Sequence, residues 1–171
     1  RPAEQEVVAA ADLPKKRFVV TRVSLRNGGA RVTDAGLEVL RGLKHLTWLD
    51  LFESHAGDDT MELLKDMKDL SALNVQRTGV TNEGVKHLKG LTNLTYMNLN
   101  DCPINDGALR HLGGITRLQT LTLTGTRVTG TGAEYLRELP NLRELNLHLT
   151  PISADGLKQI AALTALAELS L

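Results

Sequence analysis

The chain has few aromatic residues, which make up 3% of its 171 residues, and a single cysteine, Cys102. One cysteine allows no internal disulfide. Lys and Arg balance Asp and Glu at 20 each, which argues against a nucleic-acid partner because such binding depends on neutralising phosphates. No run of 18 apolar residues is present, so the sequence predicts no membrane span. The informative feature of the sequence is the spacing of its leucines.

The leucines repeat in a fixed pattern, which is read most clearly as Leu94-x-x-Met97-x-Leu99. The other regular copies are Leu46/Leu49/Leu51, Leu70/Leu73/Val75, Leu118/Leu121/Leu123, Leu142/Leu145/Leu147 and Leu166/Leu169/Leu171. With the Leu94 copy in its place among them, each copy begins 24 residues after the one before it. This period and pattern are the signature of a leucine-rich repeat. The sequence therefore predicts an α/β fold: a right-handed solenoid of about seven repeats, with a parallel sheet on the concave side and helices on the convex side.

A degenerate first copy, Val20-x-x-Val23-x-Leu25, is separated from the second by two residues more than the regular period. We assign the two extra residues to the glycine-rich loop at 27–30, since loops on one rim absorb insertions. Residues 1–17 are predicted to form an N-terminal cap helix and turn, because the first repeat of a solenoid exposes apolar surface. The repeat domain is then 18–171.

Within each repeat, a strand is followed by a buried hydroxyl or thiol position and then by a helix that begins at a capping residue. The helix-start pairs are Thr33-Asp34, Gly57-Asp58, Thr81-Asn82, Asn105-Asp106, Thr129-Gly130 and Ser153-Ala154. Thr, Ser, Asp and Asn side chains accept hydrogen bonds from unpaired backbone N–H groups there. A glycine column at Gly36, Gly84, Gly132 and Gly156 predicts that helix backbone approaches the sheet closely, since helical glycine costs about 1 kcal/mol.

Residues 80–88, VTNEGVKHL, and residues 31–37, RVTDAGL, resemble the "V-T-D-x-G-L-x-x-L" repeats of the cysteine-containing leucine-rich-repeat class. That class includes the repeat arms of F-box proteins and many bacterial repeat proteins, among them those of planctomycetes. The resemblance covers about residues 18–171. It implies the solenoid fold and, because no F-box precedes the repeats, it does not imply a role in a ubiquitin ligase.

Side chains between the buried leucines should face outward on the concave sheet, because successive strand residues alternate in direction. Three of the chain's five aromatic residues, Trp48, Phe52 and Tyr96, fall in these outward columns although the repeat does not require them there. Aromatic residues and arginine are enriched at binding hot spots. The partner-binding hypothesis comprises Arg22, Arg26, Trp48, Asp50, Phe52, Tyr96 and Asn98. Alternatively, Trp48 and Phe52 pack on each other or on the cap helix.

The size of this surface limits the hypothesis. Seven strands at about 4.8 Å spacing and three residues at about 3.4 Å give a sheet roughly 33 Å by 10 Å. A standard partner needs about 800 Å² per side. Either the contact is weak, or residues on the rim take part, for which the candidates are Glu53, His55, Arg77, Asp101 and Arg127.

Catalytic and metal-binding arrangements are poorly supported. His87 and His111 occupy equivalent helix positions in successive repeats, but zinc requires three or four ligands. His148 lies near Glu144 on one strand, where same-face neighbours are about 7 Å apart, and no Ser or Cys nucleophile is beside it. We predict no enzyme activity, no cofactor and no metal.

The leading function is a non-catalytic protein-interaction scaffold that binds another protein through the concave sheet. A structural spacer or dimerisation arm of a larger protein is the alternative, and a small-ligand or glycan receptor at Trp48, Phe52 and Tyr96 is a weaker one. The last period stops at Leu171 without a polar cap. We expect a piece of a longer array, self-association through this end, or a blunt end. No motif identifies the partner or the compartment.

Overall fold

Seven short strands, one per repeat, organise the described part of the chain. The structure is a computed structural model that describes residues 19–26 and 32–171. The strands are β1 (Arg22–Ser24), β2 (Trp48–Asp50), β3 (Ala72–Asn74), β4 (Tyr96–Asn98), β5 (Thr120–Thr122), β6 (Glu144–Asn146) and β7 (Glu168–Ser170). The predicted cap at 1–17 and the glycine-rich loop at 27–30 lie outside the described residues.

The strands form one parallel sheet in which each strand pairs with its sequence neighbours, in the order β1 to β7. Arg22 pairs with Trp48, Trp48 pairs with Ala72, and Ala72 pairs with Tyr96. The step from β1 to β2 is therefore two residues longer than the next two steps, which are equal to each other. This register confirms both the predicted period and the longer first repeat.

Short helices connect the strands. The α-helices are α1 (Asp34–Leu37), α2 (Asp58–Leu64), α3 (Asn82–His87), α4 (Asp106–Leu109) and α5 (Ala154–Ala161), with 3₁₀ helices at Glu38–Gly42, Leu88–Gly90 and Thr131–Glu138. The connection after β5 is thus entirely 3₁₀, a tighter helix that is used in short pieces. Gly130 precedes it with φ 86° and has no side chain that could cap it.

The predicted capping residues are confirmed at three helices. The side chains of Thr81, Asn105 and Ser153 accept hydrogen bonds from the backbone N–H groups of Glu83, Gly107 and Gly156 at the starts of α3, α4 and α5. Thr33 makes no such bond at α1. The capping pattern therefore predicted where the helices begin more reliably than it predicted the hydrogen bonds from backbone N–H groups to the capping side chains.

The predicted phase of the repeat is confirmed by burial. Leu49, Leu73, Met97 and Leu121, the central residues of β2 to β5, are each 0% exposed and join the helices in one apolar core. Each such burial contributes about 1.5–3 kcal/mol. Leu169 occupies the same position in β7 but is 42% exposed, since β7 has a neighbouring strand on one side in the described chain.

Carboxylates and amides at four helix starts, from Asp34 to Asp106, each link their repeat to the next. Asp58 accepts hydrogen bonds from the backbone N–H and hydroxyl of Thr81, at 2.8 and 2.6 Å. Asp106 likewise accepts from the N–H and hydroxyl of Thr129, both at 2.8 Å, and from the N–H of Gly132 at 2.9 Å. These two carboxylates therefore accept hydrogen bonds from N–H groups at the helix start of the following repeat. The sequence pattern had indicated instead that each capping side chain pairs with N–H groups of its own repeat.

The glycine column marks close contact with the preceding helix start and not with the sheet, so the predicted neighbour was wrong. A Cβ at Gly132 would lie 2.8 Å from the carbonyl oxygen of Asp106. One at Gly156 would overlap the carbonyl oxygen of Thr129. Consecutive connections stack backbone on backbone at Gly132 and Gly156, and these two glycines leave the space that this stacking needs.

Candidate functional site

The sheet packs one face on the helices, and among residues 19–26 and 32–171 no helix covers the other face, which is termed here the open face. Its side chains lie in three columns. The first is Arg22, Trp48, Ala72, Tyr96, Thr120, Glu144 and Glu168; the second is Ser24, Asp50, Asn74, Asn98, Thr122, Asn146 and Ser170; the third is Arg26, Phe52, Gln76, Asn100, Thr124 and His148. The structure therefore places all seven predicted site residues on one face.

Arg22 and Trp48 form the first contact of this surface. They are direct neighbours in the register of β1 and β2, and the guanidinium carbon of Arg22 lies 4.5 Å from the centroid of the Trp48 ring. Such a cation–π contact contributes about 0.5–1 kcal/mol at exposed sites. Arg22 is exposed and Trp48 is half-buried. The pair presents an apolar ring with guanidinium N–H donors beside it.

Phe52 lies between two arginines. The guanidinium carbons of Arg26 and Arg77 are 5.6 and 5.9 Å from the centroid of its ring. Arg26 is exposed, and Phe52 is half-buried beneath the two charges. Phe52 thus joins the predicted surface to Arg77 on the next repeat, a contact that the column pattern did not predict.

Asp50 supports this surface from below. Its side chain is buried, at 1% relative exposure of the residue, and its Oδ2 lies 3.3 Å from Nε of Arg26. Its Oδ1 accepts from the backbone N–H of Phe52 at 3.1 Å and from the side-chain amide of Asn74 at 2.9 Å. Asp50 therefore positions Arg26 and the end of β2, and it offers a partner almost no surface of its own.

Asn98 has a similar supporting place. It is 7% exposed, its Oδ1 accepts from the backbone N–H of Asn100 at 2.9 Å, and its amide donates to Gln76 at 3.3 Å. Asp50 and Asn98 point to the open side, as the alternation predicts, but the structure buries both beneath their neighbours. Tyr96, on the same strand as Asn98, is half-buried and contributes ring surface to the face.

The rim beside Phe52 carries an ion-pair cluster. Nη1 of Arg77 lies 2.6 Å from Glu53 and its Nε lies 3.4 Å from Asp101. All three residues have positive φ, at 55°, 55° and 56°, a conformation uncommon outside glycine. Their regular spacing by one repeat was visible in the sequence, but the left-handed backbone that follows each strand was not.

Neither of the two main cavities in the described part of the chain is lined by Trp48, Phe52 or Tyr96. An open groove of about 560 Å³ follows the rim between residues 53–57 and 77–79. A cavity of about 210 Å³ lies between residues 136–142 and 162–166. The aromatic residues of the open face therefore contribute to neither of these two cavities.

Cys102 and His111 lie away from this surface and have shifted pKa values. Burial raises the pKa of the Cys102 thiol, whose Sγ donates to the carbonyl oxygen of Val75 at 3.0 Å. Burial, together with the charges of Arg110 and nearby lysines, lowers the pKa of His111.

Among residues 19–26 and 32–171 no three His, Cys, Asp or Glu side chains come together to hold a metal ion. No helix of that part is long and apolar enough to cross a bilayer.

Comparison with known proteins identifies the fold. A family model described as a leucine-rich repeat matches residues 138–161. No curated protein matches the sequence significantly. The chain is similar to the crystal structure of internalin C2 from Listeria monocytogenes, with 25% identity and a TM-score of 0.69 over 88% of this chain and 67% of that one.

A second internalin from the same organism, inlF, is similar with 16% identity and a TM-score of 0.57, covering 89% of this chain and 48% of that one. At that identity the likeness concerns the fold alone. The parallel sheet, its regular register and these structural relatives together show an α/β leucine-rich-repeat solenoid.

Proposed function

We propose that this leucine-rich-repeat solenoid is a non-catalytic scaffold that binds another protein through the open face of its sheet. The observation that carries the proposal is the cluster of Arg22, Arg26, Trp48, Phe52 and Tyr96, in which two arginines cover two aromatic rings. The repeat does not require aromatic residues at these positions, as the threonines of β5 illustrate. Exposed arginine and aromatic side chains are the types enriched at binding hot spots.

The supporting side chains strengthen this proposal. A hot spot works when its side chains are held before binding, because ordering them afterwards costs about 0.5–1.5 kcal/mol each. Asp50 holds Arg26, and Trp48 and Phe52 restrict the arginines above them. The surface is therefore preorganised, with Asp50 and Asn98 as supporting residues and the other five as contact residues.

Affinity capture tests the proposal. The purified chain is immobilised and exposed to an extract of its native source, and captured proteins are compared with those captured by a Trp48→Ala/Tyr96→Ala variant. The matched control is Tyr135→Ala, which removes an aromatic ring that is 44% exposed on the opposite, helical side. We expect specific capture by the wild type and the control, and at least tenfold less by the double variant.

Circular dichroism and thermal unfolding accompany the capture experiment. A double variant that keeps its melting temperature but loses its captured protein supports the open face. Capture that survives the double variant and disappears with Tyr135→Ala would place the binding surface on the helical side and contradict the proposal.

A second candidate function is a structural arm that self-associates through the last repeat. It is favoured by three exposed leucines of the last repeat, namely Leu157 of α5, Leu169 of β7 and Leu171 after it, which are 46%, 42% and 54% exposed. Light scattering over a hundredfold range of protein concentration tests it, with Leu169→Lys as the variant. A molar mass that stays monomeric throughout would exclude this role for the chain. The small-ligand alternative has less support, since the aromatic residues line neither of the two main cavities.

The finer class of the repeats also remains our proposal. Cys102 occupies the buried thiol and hydroxyl column, at 2% exposure, which fits the cysteine-containing repeat class with members in F-box and planctomycete proteins. Thr78 and Thr126 fill the same column, and their hydroxyls donate to carbonyl oxygens three residues earlier. Replacing Thr126 by cysteine should therefore leave the melting temperature within a few degrees.

A further inference from the structure

Charge is distributed unevenly along the first column of the open face. Arg22 lies at the β1 end, and Glu144 and Glu168 lie at the β6 and β7 end. The four strands between them, β2 to β5, carry the uncharged residues Trp48, Ala72, Tyr96 and Thr120. A chain with zero net charge thus has one face whose two ends differ in sign.

The positive end is built from Arg22 and Arg26. Arg26 has Asp50 as its counter-ion, and that carboxylate is buried beneath it. No acidic side chain within the described residues forms an ion pair with Arg22, whose contact is the Trp48 ring. A guanidinium over a ring keeps planar N–H donors that match a carboxylate. This end is suited to an acidic side chain of a partner.

The negative end consists of two carboxylates side by side. Glu144 and Glu168 are direct neighbours in the register of β6 and β7, and both are exposed. Like charges directly opposite each other on adjacent strands are destabilising. Within the described chain, the hydroxyl of Thr120 donates to Glu144 at 3.0 Å, while the nearby Arg143 donates to the carbonyl oxygen of Ala165. A cation placed between the two carboxylates would relieve their repulsion.

The dimensions of the face limit what can occupy it. Six strand spacings of about 4.8 Å separate β1 from β7, or about 29 Å, and three residues give about 10 Å of width. This is roughly 300 Å², well below the 800 Å² or so that each partner of a standard globular interface buries. An α-helix with its side chains is about 10–12 Å across. The width therefore suits one chain segment.

We propose that the open face binds a single peptide segment of a partner protein that is acidic at one end and basic at the other. A carboxylate of the segment pairs with Arg22, and lysine or arginine at its other end lies against Glu144 and Glu168. The two charges are about 24–29 Å apart, which is about eight extended residues or 16–19 helical ones. This inference rests on the proposed function and adds the chemistry and direction of the bound segment.

A display library of random 20-residue peptides tests the inference. Peptides selected on the wild-type chain are first counter-screened against Trp48→Ala/Tyr96→Ala, so that only those bound at the open face are kept. Their affinities are then measured for Arg22→Gln and for Glu144→Gln/Glu168→Gln. The matched controls on the helical side are Arg110→Gln and Glu134→Gln/Glu138→Gln, all of which are exposed positions.

We expect the retained peptides to carry Asp or Glu near one end and Lys or Arg near the other. Their affinity should fall at least threefold with either open-face charge variant, should be unchanged in the controls, and should weaken as salt is raised. Retained peptides without separated charges, or with affinity unchanged by both open-face variants, would overturn the inference while leaving the proposed surface intact. Failure to retain any peptide that depends on Trp48 and Tyr96 would overturn the inference, whereas the proposed surface itself is tested by the capture experiment with Trp48→Ala/Tyr96→Ala.

Discussion

The second column of the open face shows how one residue type organises the end of each strand. Asn74, Asn98 and Asn146 each accept a hydrogen bond from the backbone N–H two residues later, at 2.9–3.0 Å, and Asp50 does the same. The equivalent residue of β5 is Thr122, whose buried hydroxyl has no hydrogen-bond partner in the described chain. The N–H of Thr124 is instead satisfied by Asn100 of the preceding repeat, at 2.8 Å.

Because Asn100 replaces Thr122 as the acceptor for the N–H of Thr124, the effects of mutating Asn100 and Thr122 should be coupled. Asn100→Ala should destabilise the protein by about 1–3 kcal/mol, because the N–H of Thr124 loses its acceptor. Thr122→Asn should recover most of that loss by supplying the acceptor that the other repeats use. Urea unfolding of both single variants and of the double variant measures the coupling as a double-mutant cycle.

His148→Ala is the matched control, since it removes an exposed side chain from the same column while the N–H of residue 148 keeps its bond to Asn146. If Asn100→Ala costs no more than this control, or if Thr122→Asn gives no recovery, the proposed exchange of acceptors is incorrect.

The direction of these side chains could be predicted from the sequence, but their burial could not. Alternation along a strand sends Asp50 and Asn98 to the open side, and the structure has them there. Their low exposure depends on neighbours in the adjacent repeat, such as Arg26 over Asp50 and Gln76 against Asn98. A repeat pattern specifies which way a side chain points, whereas the identity of its cross-strand neighbours decides how much of it is covered.

At the scale of the connecting elements, the glycines of the column differ in how much space a side chain would have. A Cβ at Gly156 would overlap the carbonyl oxygen of Thr129 and lie 2.9 Å from Cα of Gly130, whereas one at Gly36 would lie 3.4 Å from a methyl group of Val32. The first neighbours are backbone atoms that cannot move aside without shifting a repeat. The second contact is close to ordinary van der Waals distance.

Alanine substitution should reveal this difference. Gly156→Ala should cost more than about 3 kcal/mol, because it separates two stacked repeats. Gly36→Ala should change the free energy of unfolding by less than about 1 kcal/mol, since the helix propensity of alanine offsets a mild contact. Thermal and urea unfolding of the two variants give the comparison, and similar costs at both positions would contradict the assignment of the glycine column to repeat stacking.

The carboxylate of Asp106 provides a pH-dependent link between α4 and the following connection. Burial alone would raise the pKa of Asp106, but hydrogen bonds from Gly132 and Thr129 outweigh it and hold that pKa below its ordinary value. A lowered folded-state pKa means that the bonds stabilise the protein above about pH 4, the ordinary range of an Asp carboxyl. This stabilisation is lost as the pH falls through the folded-state value.

Asp106→Asn should therefore destabilise the protein by about 1–3 kcal/mol at pH 7, because the amide keeps one neutral acceptor oxygen and replaces the other with a donor, which leaves the N–H of Gly132 or Thr129 unpaired. The difference from wild type should shrink as the pH is lowered from 5 towards 2. Asp155→Asn, a change at a side chain that is 79% exposed, is the control and should show no such trend. A difference for Asp106→Asn that stays constant over this pH range would mean that the charge of Asp106 contributes nothing.

The helical elements show where the sequence pattern reached its limit. Each repeat was predicted to contain a helix, and each described connection does, but the residues at 131–138 adopt a 3₁₀ helix. The apolar spacing of this segment matches that of its α-helical equivalents. The segment differs at its start, where Gly130 has a left-handed backbone and lies against Gly156 of the next repeat. Such a contact between repeats leaves no signal in the segment itself.

The whole molecule is a linear stack, so the energetic value of a residue depends on its repeat as well as on its position within the repeat. Leu121 and Leu169 are equivalent in the register of the sheet, yet one is 0% and the other 42% exposed. The first has a strand on both sides and the second on one. In such arrays, stability is approximately a sum of repeat terms and nearest-neighbour interfaces.

Leu121→Ala should consequently cost about 2–5 kcal/mol, the range for fully buried leucines, while Leu169→Ala should cost about 1 kcal/mol or less. Urea unfolding at low and high protein concentration makes the comparison, because it also detects association through β7. If Leu169→Ala is costly only at the higher concentration, a second copy covers the exposed leucines and the self-association role is favoured. If it is as costly as Leu121→Ala at both concentrations, the exposed fraction of a leucine does not measure its contribution here, and the nearest-neighbour description of this solenoid is wrong.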